Sequence, residues 1–140
     1  MNQSGWITNN IPTAGYTPGQ TYQITVGCTH TGVVRFGFEL TAENNAGQKV
    51  GTFTITEPTR TKLVNLSKAV THIFGGTTPT GNSNSWSANW TAPSTPIGEI
   101  GFYAALNAAN GNGNNTGDVI YRTSLFVNAA APAALGVVNK

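Results

Sequence analysis

The fold is decided by a stretch that reads SWSANWT and covers Ser85–Thr91. Its apolar residues, Trp86, Ala88 and Trp90, alternate with polar ones. Side chains along a strand point to opposite faces in turn, so a period of two predicts a strand with one buried face. The polar neighbours favour burial of the Trp face, whereas an outward Trp face would offer two indoles as a platform for sugar rings.

The same period of two recurs on both sides of this stretch. Further alternating runs are Tyr22–Val26, Val34–Leu40 and Ile100–Leu106. Between the runs lie clusters of Gly, Pro, Asn and Thr, which are typical of turns. Short strands at this spacing predict an all-β fold, namely an antiparallel immunoglobulin-like β-sandwich of about seven to nine strands. The inward-facing aromatic positions predict a core that contains Tyr22, Phe36, Phe38, Trp86, Trp90 and Phe102.

The segment Lys62–Phe74 is the best candidate for a helix. Leu63, Leu66 and Val70 are spaced three to four residues apart. Its Thr and Val content and the glycines after Phe74 instead predict an irregular segment or a short turn.

The composition of the chain excludes several classes of protein. Its 140 residues fit one domain, but only 9% are charged and the net charge is +2. Binding to nucleic acid would need Lys and Arg clustered on one face, and membrane insertion would need about 20 consecutive apolar residues. One Cys can form neither an internal disulfide nor a multi-cysteine zinc site. We therefore expect no nucleic-acid partner and no membrane insertion.

The low-complexity segment 129–140 predicts where the domain ends. It begins with Ala and Pro residues directly after the last predicted strand. We expect a sandwich domain over residues 1–128, and a linker or the start of a removed C-terminal region over residues 129–140.

Several motifs follow one another along the chain, namely Gly15–Val26 (GYTPGQTYQITV), Arg35–Leu40, Gly51–Phe53, Val70–His72, Ser85–Pro93, Gly101–Ala105 and Gly117–Tyr121. In this order they resemble reeler-like domains, and most of all the bacterial branch called the "choice-of-anchor V" domain. The resemblance implies a secreted immunoglobulin-like sandwich that is joined to surface anchors or sorting tails in bacteria. It supplies no catalytic residues and no cofactor. Some members carry a Cys-x-x-Cys-His haem-attachment motif, but Cys28 and His30 have the wrong spacing for it.

The long polar segment Asn107–Asp118 is the candidate binding loop. Exposed loops on a rigid sandwich often carry binding, and Asn oxygens with one carboxylate could also form a weak calcium cage. A long hairpin connection, in which Asn and Gly supply turn conformations, is the favoured alternative, and we expect calcium to leave the melting temperature unchanged. The candidate ligand-binding residues are Tyr103, Asn107, Asn110, Asn112, Asn114 and Asp118.

Metal binding and catalysis are not predicted. The soft metal ligands are His30, His72 and Cys28, and nothing in their spacing brings them together. The five acidic residues are scattered over different predicted strands and loops, and no nucleophile elbow, zinc-binding helix or phosphate loop occurs. The chain is therefore predicted not to be an enzyme.

These observations leave three hypotheses about function. The first is a non-enzymatic, secreted or cell-surface β-sandwich with a structural or adhesive role, in one version a self-assembling surface or filament subunit. The second is a carbohydrate- or ligand-binding module that meets a glycan or another surface partner. The third is an accessory domain of a haem-linked redox protein.

Self-association through a strand at a sheet edge is a specific expectation of the first hypothesis. The segment Trp6–Pro12 should lie at an edge or bend between the sheets, because Pro12 cannot donate to a ladder. Natural edges are commonly protected by charge, yet no charged residue occurs from Met1 to Val34.

Overall fold

A computed structural model describes residues 2–109 and 118–131, and these residues form two β-sheets packed face to face. The sheets account for ten strands within the described ranges, so the predicted all-β sandwich is confirmed. The strands are β1 (Asn2–Gln3), β2 (Ile7–Asn9), β3 (Thr21–Thr29), β4 (Arg35–Glu43), β5 (Thr52–Ile55), β6 (Thr61–Val64), β7 (Ala69–His72), β8 (Ser83–Thr91), β9 (Ile100–Ala109) and β10 (Val119–Val127). The count exceeds the expected seven to nine, because strands as short as β1 are too brief to leave an alternating pattern.

One sheet has six strands in the order β1-β10-β9-β4-β7-β6, and the other has four in the order β2-β3-β8-β5. All pairings between these strands are antiparallel except that of β1 with β10, which is parallel. No helix in the described part of the chain has the length and hydropathy needed to cross a membrane.

The two indoles of β8 lie in the centre of the core. Trp86 stacks on Phe38 at 4.3 Å between ring centroids, and Trp90 meets Phe102 edge to face at 4.9 Å. The indole N–H groups of Trp86 and Trp90 donate to the backbone carbonyls of residues 76 and 50, at 2.8 Å and 3.2 Å. Both side chains are fully buried, so neither forms an exposed sugar platform.

The remaining predicted core residues differ in depth. Phe36, like Phe38 and Phe102, is buried between the sheets. Tyr22 is only half-buried at the margin of the core, because its hydroxyl reaches out of the sandwich and accepts a hydrogen bond from the Thr17 N–H at 2.8 Å.

The segment Lys62–Phe74 is more regular than the sequence indicated. It contains most of the β6–β7 hairpin, which adds two strands to the edge of the six-stranded sheet. The turn between them places Asn65, Leu66 and Ser67 at positive φ angles of 54°, 57° and 66°. A three-residue run in this conformation is rare for residues other than Gly and leaves little signal in the sequence.

The N-terminal segment closes one side of the sandwich. β1 lies at the edge of the six-stranded sheet, and β2 lies at the edge of the four-stranded sheet. Between them, the Trp6 ring packs against Tyr121 at 4.9 Å, and the Trp6 carbonyl accepts the Gly27 N–H at 2.8 Å. The segment therefore bends between the sheets and also supplies an edge strand to each.

The other end of the described chain is attached near Tyr16. The Tyr16 N–H donates to the Asn128 carbonyl at 2.9 Å, and the Tyr16 carbonyl accepts the Ala130 N–H at 2.8 Å. Ordered pairing thus continues for two residues beyond residue 128, and the boundary at that residue remains a prediction. Residues 132–140 lie outside the described part of the chain.

Candidate binding face

The outer face of the six-stranded sheet carries the features expected of a binding surface. The register of β4, β9 and β10 arranges its outward residues in four rows. The three positions on β9 that flank Tyr103 and Asn107 are Gly101, Ala105 and Ala109, so the face is recessed between the two larger side chains. The rows are Gly37–Asn107–Ile120, Glu39–Ala105–Arg122, Thr41–Tyr103–Ser124 and Glu43–Gly101–Phe126.

An exposed aromatic pair occupies one end of this face. The Tyr103 and Phe126 rings meet edge to face at 5.8 Å and are 39% and 51% exposed. A Cβ atom on Gly101 would lie 2.8 Å from the Tyr103 ring. Because Gly101 has no side chain, Tyr103 lies down along the strand and presents a ring to solvent.

A depression of about 240 Å³ occupies the other end, and Glu39, His72 and Asn107 contribute polar groups to its largely apolar lining. His72, at the end of β7, covers Gly37, where an added Cβ would lie only 2.5 Å from the His72 Cε1 atom. The His72 Nδ1 atom accepts the Phe38 N–H at 3.0 Å, which fixes the ring against β4. Next to Gly37 on β9, the Asn107 side-chain oxygen is buried and has no hydrogen-bond partner in the described structure.

The two ends form one groove. A second depression of about 410 Å³ lies beside Tyr103 and is bordered by Gln3, Arg122 and Ser124. Ala105 lines both depressions, so its small side chain forms the floor that joins them. The groove thus offers stacking surface at one end and hydrogen-bonding groups at the other.

The structure brings two of the predicted ligand-binding residues together. Tyr103 and Asn107 share the outer face of β9. Asp118 is half-buried just before β10, and Asn110, Asn112 and Asn114 lie outside the described residues. Within residues 2–109 and 118–131, no three His, Cys, Asp or Glu side chains lie close enough together to hold a metal ion.

Sequence reasoning missed His72, Ile120 and Phe126. The alternation along Val119–Val127 carries a signal for Ile120 and Phe126, since it places them on the face opposite Tyr121. No such signal exists for His72, because its place over Gly37 depends on how β7 ends against β4.

The outer face of the four-stranded sheet has a different chemistry. Hydroxyl groups pair across β3 and β8, with Thr21 bonded to Thr91 and Thr25 to Ser87, both at 2.7 Å. The outward positions of β3 and β8 are occupied by Thr, Ser, Gln, Asn and Gly, so these two strands present neither aromatic nor charged side chains on this face.

The thiol of Cys28 is unsuited to nucleophilic chemistry. Cys28 lies in the core, and burial raises the pKa of its thiol to about 12. The thiolate is the reactive form, so the thiol is inert at neutral pH.

Comparison with known proteins identifies the architecture. The family model described as the Reeler domain matches residues 2–110. The crystal structure of the human F-spondin reeler domain is 18% identical with a TM-score of 0.66, and covers 92% of this chain and 94% of its own. The Reelin-N domain of F-spondin is 20% identical with a TM-score of 0.66, and the match covers 94% of this chain and 92% of that domain.

A bacterial module shares the same fold. A cohesin module from a Clostridium perfringens family 33 glycoside hydrolase is 14% identical with a TM-score of 0.55, and covers 88% of this chain and 94% of its own. At these identities the likeness concerns the fold alone. None of the curated proteins matches the chain.

Proposed function

The chain belongs to the Reeler domain family, and from that membership we propose that it is a non-enzymatic, secreted or cell-surface module that adheres to a partner through the groove on its six-stranded sheet. The observation that carries the proposal is one groove that has the exposed Tyr103–Phe126 pair at one end and a depression bordered by Glu39, His72 and Asn107 at the other. Large aromatic side chains contribute most of the contact energy at binding surfaces. Because the groove lies on strands rather than loops, it is rigid before a partner arrives.

The ionisable groups support an adhesive role over a catalytic one. Glu43 forms an ion pair with Lys49 at 3.0 Å, and Glu57 forms one with Arg60 at 2.9 Å. Both carboxylates are engaged by a basic side chain, an arrangement that is typical of structural ion pairs. The haem-linked alternative gains no support from the described residues, which bring no cluster of metal ligands together.

A glycan is the ligand class that the groove favours. Sugar rings present C–H groups that pack on aromatic rings, and their hydroxyls need hydrogen-bonding partners. Both are available in one groove, since Tyr103 and Phe126 supply rings and Glu39, His72 and Asn107 supply polar atoms. The low charge of the chain suits a neutral ligand.

A glycan array read with fluorescent protein tests the proposal. Tyr103→Ala and Phe126→Ala should each lower the signal about ten-fold, as loss of an aromatic contact does at a binding surface. Thr25→Ala, on the outer face of the opposite sheet, is the matched control and should bind like the wild type. Equal binding by all three variants would show that the groove is not the adhesive surface.

Self-assembly is a second proposal, and the position of β2 favours it. β2 is an edge strand, and its residues are uncharged. An unguarded edge can pair with a strand of a second copy. Sedimentation at high protein concentration should therefore show association that Thr8→Lys, an exposed edge charge, abolishes. A monomeric wild type under the same conditions would exclude the filament version of the hypothesis.

A further inference from the structure

We propose that the polar end of the groove binds the acetamido group of an N-acetylated sugar, between His72 and Asn107. The inference rests on the proposed adhesive function, because it names the ligand chemistry of the same groove. It is carried by one donor and one acceptor that the fold places side by side above a glycine.

The donor is the Nε2–H group of His72. Nδ1 accepts the Phe38 N–H at 3.0 Å, so in the neutral imidazole the hydrogen is on Nε2. The polar contacts that His72 makes within the described residues all involve Nδ1 and leave Nε2 for a ligand. A Cβ on Gly37 would lie 3.1 Å from Nε2, so this edge of the ring lies above the floor of the depression.

The acceptor is the side-chain oxygen of Asn107. It is buried without a partner in the described structure. Asn107 lies directly opposite Gly37 in the β4–β9 register. Opposite residues on one face of an antiparallel pair have Cβ positions about 4.5–5.5 Å apart, and His72 occupies the space that a side chain at Gly37 would fill. His72 and Asn107 both line the depression, so the donor and the acceptor border the same small volume.

An acetamido group satisfies both partners at once. Its carbonyl oxygen accepts from His72 Nε2–H, and its N–H donates to the Asn107 oxygen. Its methyl group packs against Ile120, whose side chain is 49% exposed at the rim of the depression, and against Ala105. A sugar hydroxyl in the same place lacks the methyl group. Its hydrogen-bond donor and acceptor share one oxygen atom, whereas those of the acetamido group are two separate atoms.

The rest of the sugar extends along β9 towards the aromatic pair. Asn107 and Tyr103 are four residues apart, which corresponds to about 13 Å of strand. The small side chain of Ala105, which lines both depressions, leaves this path open along the sheet. The arrangement favours an oligosaccharide over an extended peptide backbone, which has the same amide chemistry but no flat ring of C–H groups to pack on the exposed aromatic pair.

Isothermal titration calorimetry with two matched tetrasaccharides tests the inference. Chitotetraose carries an acetamido group on every ring, whereas cellotetraose has hydroxyls in their place. Chitotetraose should bind the wild type at least about ten-fold more tightly, the difference expected for one buried hydrogen-bonding group left without its partner.

Variants at Asn107 separate binding from folding. Asn107→Leu should remove the preference for chitotetraose, while Asn107→Asp keeps an oxygen acceptor and should retain it. Tyr103→Ala should weaken both sugars to the same extent. Thermal unfolding of each variant confirms that it is folded. An N-acetylated dipeptide amide, which resembles a peptide backbone, measures how well the same groups bind a peptide.

The outcomes distinguish the pocket from the groove. Equal binding of the two sugars, each lost in Tyr103→Ala, would overturn the acetamido pocket and leave the adhesive groove in place. Tighter binding of the dipeptide than of chitotetraose, or unchanged preference in Asn107→Leu, would also overturn the pocket. Failure of both sugars to bind would reject the pocket, whereas the proposed function is decided separately by the array comparison of Tyr103→Ala with Thr25→Ala.

Discussion

Trp86 is one of the two indole side chains through which β8 packs against the opposite sheet. It is fully buried, stacks on Phe38 and donates its indole N–H to the Gly76 carbonyl. Trp86→Ala should lower the free energy of unfolding by about 3–5 kcal/mol, because it leaves a large cavity and removes one of the two hydrogen bonds that the Gly76 carbonyl accepts. Urea unfolding measures the loss, and Phe126→Ala, on the exposed face, is the control that should change stability little. A Trp86→Ala protein as stable as this control would contradict the core assignment.

Cys28 makes the stability of the protein depend on pH in the alkaline range. Burial raises the pKa of its thiol from 9.0 to about 12. Between these values the unfolded chain has lost the thiol proton and the folded chain has kept it, so stability falls as pH rises from 9 towards 12 and is unaffected below 9. The slope should approach about 1.4 kcal/mol per pH unit.

The matched control for this pH effect is Cys28→Ala. Chemical unfolding of both proteins below pH 9 and between pH 9 and 12 isolates the thiol, since all other titrating groups are common to them. Parallel pH profiles for the two proteins would show that the folded thiol titrates normally.

Single residues illustrate what the sequence could and could not predict. The inward Trp face followed from Ser87 and Asn89, because polar neighbours mark the opposite side of a strand. The depression at Gly37 could not be predicted, since it depends on a His from another strand lying over a missing side chain.

At the scale of elements, the β6–β7 turn holds a local strain. Leu66 is 94% exposed and has a φ angle of 57°, which disfavours any residue with a Cβ. Leu66→Gly should raise the free energy of unfolding by about 0.5–1 kcal/mol, because it relieves the strain and removes no packing.

Leu66→Ala is the control for this turn, since it shortens the side chain and keeps the Cβ. It should leave stability near that of the wild type in the same urea titration. A Gly variant less stable than the Ala variant would mean that the positive φ angle carries no cost.

The strands differ in how clearly their sequence predicts them. Long strands such as β3, β8 and β9 extend over nine or ten residues, so their two-residue alternation can be recognised in the sequence. β6 and β7 have four residues each, and their pairing is decided by neighbours distant in the chain. The groove combines three strands in register, and no local pattern encodes which residues of β4 and β10 flank Asn107.

At the scale of the whole molecule, stability should depend little on salt. Charged residues make up 9% of the chain, and the ion pairs Lys49–Glu43 and Arg60–Glu57 are partly exposed. Exposed pairs contribute little and are screened by salt. The melting temperature should stay nearly constant between about 0.1 M and about 1 M sodium chloride, ionic strengths at which the screening length falls about three-fold. A fall of several degrees would reveal an electrostatic contribution that the described ion pairs do not account for.

The parallel pairing of β1 with β10 has a mechanical consequence. In two parallel strands, the N-terminal end of one strand and the C-terminal end of the other lie at opposite ends of the shared ladder. Tension applied before β1 and after β10 therefore pulls along the shared ladder and loads its hydrogen bonds in shear, all at once, rather than unzipping them singly. The Tyr16–Ala129 bridge is also parallel and is loaded in the same direction. A module clamped in this way resists being pulled open along the line that joins the two strands' outer ends.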